Sequence, residues 1–287
     1  MVATFGEEVL LKANAIDVEG MAYSITTTQE PHQDPVPFTV HLPSGAEARC
    51  DQDAEWCEVE TPEGRHRVRF HDYGEIYAIP GLYEHLFYEE LQCDSPKTVR
   101  RLLSSVLDER GREASELVVL DVGAGNGMVG EELSELGATS IVGIDIIEEA
   151  ATAAERDRPG VYDDYRVMDL TDPEPADDAA MAAAGFNCLT TVAALGFGDI
   201  PPDAFARAFN YVEDGGLITF NIKDRFTRRA DQSGFGRLLH RMHDERVLDP
   251  VVEHRYRHRL AASGDPLHYM AYVSEKTRDV PFDWVEA

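Results

Sequence analysis

The residues whose types and spacing could hold a ligand gather in the middle of the chain. Leu117-Val118-Val119-Leu120 is an apolar, β-branched run that ends in Asp121, and Val122-Gly123-Ala124-Gly125-Asn126-Gly127 follows at once. Met128–Leu136 carries Val129, Leu133 and Leu136 at helical spacing, with Gly137 placed to end the helix in a left-handed conformation. Strand, glycine-rich turn and helix in that order bring unpaired N–H groups and a loop free of side chains against a ligand. Asp145 closes a second apolar run, Ser140–Asp145. It stands near the ~20-residue offset at which doubly wound sheets set a ribose-binding carboxylate, and a carboxylate can accept both ribose hydroxyls. Ile146 would then lie against an adenine ring. Simpler readings exist: Asp145 as the N-cap of a helix over Ile147–Arg156, and the whole run as a βα turn without a ligand. Gly125-x-Gly127-x-x-Gly130 also satisfies the dinucleotide fingerprint.

Asp121-x-Gly123-x-Gly125-x-Gly127 fills every position of a D-x-G-x-G-x-G pattern. In this it resembles motif I of class I S-adenosylmethionine (SAM) methyltransferases. The resemblance implies that Asp121 lies near the methionine end of SAM and that Gly123, Ala124, Gly125, Asn126 and Gly127 form the cofactor loop. A pyrophosphate would gain nothing from Asp121, because like charges repel. The resemblance further implies that Asp169, after the strand Val161–Met168, sits at the adenine amino group, with the backbone at Leu170 beside the ring. Ala193 opens the loop Ala193–Pro202, which in this fold covers the reacting centre. Tyr83-Glu84-His85-Leu86-Phe87 resembles the "Y-D-x-L-F" stretch that precedes motif I in many small-molecule methyltransferases, where a tyrosine, here Tyr83, helps cover the cofactor. Read from the residues alone, Tyr73–Leu91 is an amphipathic helix punctuated by Pro80-Gly81, with Leu82, Leu86 and Leu91 inward. One helix has two faces, so the readings are compatible.

The elements that must position these residues follow in order. Thr26–Pro37, with Pro31, Pro35 and Pro37 among polar residues, reads as a linker or arm. Phe38–Leu42, Trp56–Glu60 and His66–Phe70 read as strands of a small β-meander that cannot bury enough alone and must pack on the rest. Ser95 caps and Pro96 opens a helix with Val99, Leu102, Leu103, Val106 and Leu107 as its apolar stripe. Helices Pro173–Ala184 and Asp203–Phe209 flank a fourth strand, Phe186–Ala193. Asp214-Gly215-Gly216 turns into a fifth, Leu217–Ile222, and resembles the family's "P-G-G" entry with Asp214 in place of proline. Phe235–Arg246 is helical, with Leu238, Leu239 and Met242 inside. Val251–Leu260 and Leu267–Val273 form a terminal hairpin around Ser263-Gly264-Asp265-Pro266. The expected fold is α/β: a doubly wound, seven-stranded, mostly parallel sheet of the Rossmann-like methyltransferase type with an N-terminal β-rich extension. The expected division is residues 1–72 as arm and meander, 73–113 as a helical lid segment and 114–287 as the SAM-binding core.

Charge and composition restrict the partners. The chain has 287 residues, 54 acids against 26 bases, and a formal net charge of −28. Its only lysines are Lys12, Lys97, Lys223 and Lys276. So acidic a surface argues against nucleic acid and against anionic membranes. No charged-plus-apolar leader and no bilayer-length apolar run stands in the sequence, so a cytoplasmic location is expected. Cys50-x6-Cys57 with His66 and His71 is too widely spaced for a usual zinc site, and no metal is expected.

Methyl transfer from SAM is an in-line displacement that needs the acceptor atom held ~3 Å from the methyl and water kept out. Leu195, Phe197 and Ile200 supply apolar surroundings for a sulfonium that loses its charge, and a tyrosine face suits the cation. The loop after strand four lacks the Asn/Asp-Pro-Pro-Tyr/Phe signature of enzymes that methylate amide or base nitrogens. The expected acceptor is therefore a small molecule in a closed pocket, and self-association into a homo-oligomer stays open. No catalytic residue is assigned. Asp199 is the only acid of that loop and could instead cap the next helix; His85 and His268 are lone histidines, more often structural than basic. Two other functions compete. An NAD(P)-dependent oxidoreductase would use Gly125-x-Gly127-x-x-Gly130, but the fingerprint lies more than 100 residues in, behind helices. A non-catalytic SAM-binding protein would need no base.

Overall fold

The computed structural model describes residues 37–227 and 233–285. The arm read over Thr26–Pro37 lies outside them except for Pro37. An antiparallel three-stranded sheet comes first: β1 (Thr39–His41), β2 (Trp56–Thr61) and β3 (Gly64–Arg69). Alternation in β3 works as the sequence implies. Val68 and, just past the strand, Phe70 are buried, while Arg67 and Arg69 face water.

The expected single helix over 73–91 is broken. Helix α1 (Tyr73–Ala78) ends before Pro80-Gly81; α2 (Leu82–Glu84) then runs into a π-helical turn, His85–Glu90. Gly81 turns the chain at φ 79°, a conformation that favours glycine, so the punctuation read from Pro80-Gly81 is a full stop. Leu82, Leu86 and Leu91 are nevertheless all buried, against Cys57, Val59, Val68 and Phe70 of the small sheet. Helix α3 (Ser95–Arg110) begins one residue earlier than a Ser95 cap requires: Asp94 is the N-cap, and Ser95 is buried instead.

The second sheet contains β4 (Val118–Val122), β5 (Ser140–Asp145), β6 (Asp164–Val167), β7 (Phe186–Thr191), β8 (Val212–Lys223), β9 (Leu248–Leu260) and β10 (Pro266–Lys276). Their order is β6-β5-β4-β7-β8-β10-β9. The first five strands are parallel, and β10 pairs antiparallel with both β8 and β9. The chain crosses over through α4 (Met128–Leu136), α5 (Glu148–Asp157), α6 (Pro175–Ala182), α7 (Pro202–Asn210) and α8 (Gly234–Asp244). Central strands buried on both faces explain the unbroken apolar run Leu117–Leu120. On one face Val99, Leu103, Val106 and Leu107 of α3 and Leu133 of α4 pack on Val119, Ile141 and Cys188. On the other, Phe205 and Phe209 of α7 and Leu238 and Met242 of α8 pack on Leu120, Ile144 and Phe220. Each fully buried aromatic or aliphatic side chain contributes roughly 1.5–3 kcal/mol.

Strand β8 departs from expectation. Asp214-Gly215-Gly216 is not a turn ahead of it but lies within it, where the pairing with β7 slips between Phe186 and Cys188. Gly215 at φ 84° absorbs the bulge, and a Cβ on Gly216 would meet Val212 at 2.4 Å. The small sheet is joined to the large one by a buried ion pair. Arg259 in β9 meets Glu55 at 2.6 Å, and the second Glu55 oxygen accepts from Ala262 N at 2.6 Å. No helix among the described residues is long and apolar enough to cross a membrane.

Candidate functional site

A cavity of about 570 Å³ opens at the carboxyl ends of β4, β5 and β7, where parallel strands of an open sheet meet their loops. It has two halves. Gly123, Asp145, Ile146, Asp169 and Leu170 line one; Ala193, Ala194, Asp199, Ile200 and His71 line the other. Tyr73, Tyr77 and Tyr83 of α1 and α2 stand over it.

The glycine loop is bound from beneath and from the side. Asp145 Oδ2 accepts from Gly125 N at 2.9 Å, while Oδ1 accepts from Ile146 N at 2.8 Å and Ile147 N at 3.3 Å. Three of roughly four acceptor positions on the carboxylate are thus in use, and Oδ2 keeps room for one more donor. Burial pushes the Asp145 carboxyl up, and those three N–H groups pull it back down. Asp145 does not cap α5, whose N-cap is Ile147; it accepts from the two amides just ahead of that helix and holds the glycine loop. Ile146 is 60% exposed beside it, an apolar side chain facing the cavity with nothing on it. Gly123 at φ 70° approaches so closely that a Cβ there would stand 2.9 Å from Ala194.

Asp121 faces away from the cavity. It is buried and accepts from Thr190 Oγ1 at 2.7 Å and Tyr162 Oη at 2.8 Å. Burial pushes its carboxyl up to about 6 against those two hydrogen bonds. Ala124, Gly125, Asn126 and Gly127 are buried as well and do not line the cavity. Asn126 Nδ2 donates to Glu84 Oε1 at 2.6 Å, and Arg158 Nη1 bridges Glu84 at 2.8 Å and Asn126 O at 3.1 Å. Glu84 and Arg158 therefore cover the start of α4, the place a pyrophosphate would need. Gly130, third of the dinucleotide spacing, is accounted for by the protein itself: a Cβ there would meet the Tyr162 ring at 2.7 Å.

Tyr77 is the tyrosine that reaches the loop. A Cβ on Gly125 would lie 2.4 Å from the Tyr77 hydroxyl, and Arg156 Nη1 holds the Tyr77 carbonyl at 2.9 Å. Tyr83 packs beside Tyr77 with ring centroids 5.0 Å apart and the planes tilted by 37°. Sequence reasoning singled out Tyr83 and passed over Tyr73 and Tyr77; their four-residue spacing, one face of a helix, was the available signal.

The loop after β7 turns back on itself through the Leu195–Ile200 bridge, with Gly196 and Gly198 at φ 106° and 98°. Ala193, at φ 61°, is a strained non-glycine residue whose N–H goes to Asn221 Oδ1 at 2.6 Å. Asp199 does not cap α7, whose N-cap is Pro201. It meets His71 Nδ1 at 3.1 and 3.3 Å through its two oxygens. His71 belongs to the turn between β3 and α1. Its partnership spans 128 positions of sequence, so spacing could not reveal it. His85 pairs with Glu89 at 2.7 Å, and neither it nor His268 lines the cavity. Among the described residues no group of three or more His, Cys, Asp or Glu could hold a metal ion.

A family model described as a methyltransferase domain matches residues 90–264. No curated protein matches the chain. Among solved structures, the N-methyltransferase NodS from Bradyrhizobium japonicum, in complex with S-adenosyl-L-homocysteine, is 14% identical, with 72% of this chain and 97% of that chain covered and a TM-score of 0.49. A SAM-dependent methyltransferase from Clostridium acetobutylicum is 12% identical, with 68% and 96% covered and a TM-score of 0.46. Magnesium protoporphyrin IX methyltransferase from Synechocystis, with bound SAM, is 13% identical, with 63% and 79% covered and a TM-score of 0.43.

Proposed function

The chain belongs to the methyltransferase-domain family, and from that membership we propose SAM-dependent methyl transfer to a small-molecule acceptor held in the cavity. The observation that carries the reading is the pairing of Asp145 with the exposed Ile146 on one cavity wall. A ribose hydroxyl has an acceptor in the free position of Asp145 Oδ2, and an adenine ring has apolar lining in Ile146 and Leu170, with Asp169 on the same side of the cavity. The methionine portion would run past Gly123 beneath Tyr77 and Tyr83. Tyrosine faces attract a cation, worth roughly 0.5–2 kcal/mol for a desolvated sulfonium. Asp121, Ala124, Asn126 and Gly127 serve in this reading by fixing the loop from behind rather than by touching the cofactor. The bound cofactor supplies the activated methyl; the chain supplies orientation and exclusion of water.

Two features support a small acceptor. The cavity lies within the roughly 300–1,000 Å³ of small-molecule sites. A net charge of −28 repels the phosphates of a nucleic acid. The oxidoreductase alternative loses ground because Glu84 and Arg158 occupy the helix start and Tyr162 explains Gly130. The domain division at 72/73 and 113/114 goes with this proposal: 73–113 as the helical lid segment and 114–287 as the SAM-binding core. Calorimetric titration with SAM and with NADH tests it. Binding of SAM with no heat from NADH is the expected result, and the reverse would sink it.

A further inference from the structure

His71 and Asp199 come from parts of the chain far apart in sequence and meet at the cavity wall. The His71 side chain is 14% exposed and that of Asp199 31%. Asp199, as a carboxylate, only accepts hydrogen bonds, so the Nδ1 it faces is the nitrogen that carries the proton. That leaves the lone pair of a neutral imidazole on Nε2, for which no partner is found among the described residues. A carboxylate that fixes the tautomer and orientation of a histidine, and stabilises the imidazolium once it forms, is the arrangement a general base needs. The Phe197 ring lies 5.7 Å and the Tyr73 ring 5.8 Å from that of His71, so the imidazole is set among aromatic rings.

We propose that His71 is the general base of this enzyme, that Asp199 is its positioning residue, and that the acceptor is a neutral hydroxyl compound of the phenol class. This rests on the cofactor reading given above. An ionised carboxylate acceptor would need no base, whereas a phenol does, and the rings of His71, Tyr73 and Tyr77 line the cavity that an aromatic acceptor would enter. In the step, a lone pair of the acceptor oxygen forms the O–CH3 bond and the C–S bond breaks. Its electron pair stays on sulfur, which becomes a neutral thioether. The hydroxyl proton passes to His71 Nε2, and the imidazolium so formed is held by Asp199. The small sheet then has a chemical role, since the turn after β3 delivers the base.

Long-range 1H–15N spectra of histidine-labelled protein at alkaline pH test this without turnover. The full chain is used, as wild type, His71→Gln and Asp199→Asn, with phenol as the acceptor probe and S-adenosylhomocysteine filling the cofactor half. The expected spectrum has neutral His71 protonated on Nδ1 in the wild type and mixed between the two nitrogens in Asp199→Asn. Phenol moves the His71 Nε2 resonance only when S-adenosylhomocysteine is present. Wild-type protein methylates phenol, and His71→Gln does so at least ~100-fold more slowly, the low end of general-base effects. Calorimetry gives all three proteins SAM affinities within about threefold, against the tenfold that 1.4 kcal/mol would produce. A proton on Nε2 in the wild type overturns the proposal. So does phenol that neither moves His71 nor accepts a methyl, or a loss of SAM binding in His71→Gln. Wild-type protein that fails to bind SAM at all would instead refute the cofactor reading, which the tautomer result does not touch.

Discussion

Replacing Asp145 by Asn exchanges one oxygen for an amino group and keeps the side chain's shape. The native carboxylate accepts from Ile146 N and Ile147 N through one oxygen and from Gly125 N through the other. An asparagine can turn its oxygen to only one of these sides. If it keeps the Ile146 and Ile147 amides, its NH2 meets the Gly125 N–H, donor against donor, and a buried amide loses its acceptor. Hydrogen bonds to charged groups are worth about 1.5–3 kcal/mol, and that is the expected loss of stability. For a domain of this size it corresponds to a fall in Tm of roughly 3–12 °C. The acceptor position left for a ribose hydroxyl disappears as well, so SAM affinity should drop by about 10- to 100-fold. Calorimetric melts without ligand and titrations with SAM read the two effects separately. A lowered Tm with unchanged SAM affinity would confine Asp145 to holding the loop and refute its ribose role. No change in either would refute the geometry.

Three further outcomes are expected. Gly125→Ala puts a Cβ 2.4 Å from the Tyr77 hydroxyl at a φ of 54°, so α1 must shift; Tm should fall by the equivalent of roughly 1–3 kcal/mol and SAM should raise it less than in the wild type, while a wild-type melt with and without SAM would contradict this. Glu55→Ala leaves Arg259 buried without its partner and should cost about 3–5 kcal/mol in denaturant unfolding; a loss under 1 kcal/mol would show that the small sheet is held by its apolar contacts alone. Asp121 titrates near 6 in the folded protein against an ordinary 3.8, so the folded state favours its protonated form. Its contribution is present below about pH 4 and is lost as pH rises through about 6, roughly 3 kcal/mol at ~1.4 kcal/mol per unit. Asp121→Asn should flatten that part of the stability curve measured by urea midpoints, and identical pH slopes for the two proteins would contradict the assignment.

What the sequence made legible was whatever periodicity and punctuation encode locally. Leu117–Leu120 with its glycines specified strand, loop and helix, and Leu82, Leu86 and Leu91 face inward although their helix is broken. The break itself needed Gly81 at positive φ, and the bulge in β8 needed Gly215 and Gly216, where a turn and a bulge use the same residue types. The site was legible only where one strand end supplies a side chain next to its own loop, as with Asp145 and Ile146. A motif position does not say which way a side chain points, and Asp121 turns toward Thr190 and Tyr162, residues from two other parts of the chain. His71–Asp199, Glu84–Arg158 and the Tyr77 hydroxyl over Gly125 are long-range meetings fixed by how the small sheet and α1 seat on the large sheet. No spacing rule contains that information.

A crystal structure of the protein with S-adenosylhomocysteine tests the central claim most directly. The account predicts density in the cavity beneath Tyr77 and Tyr83, with one ribose hydroxyl within hydrogen-bond distance of Asp145 Oδ2 and the adenine ring on Ile146, its exposed face covered. Density elsewhere, or a ligand in the cavity with its ribose turned from Asp145 and Ile146 still bare, would contradict it.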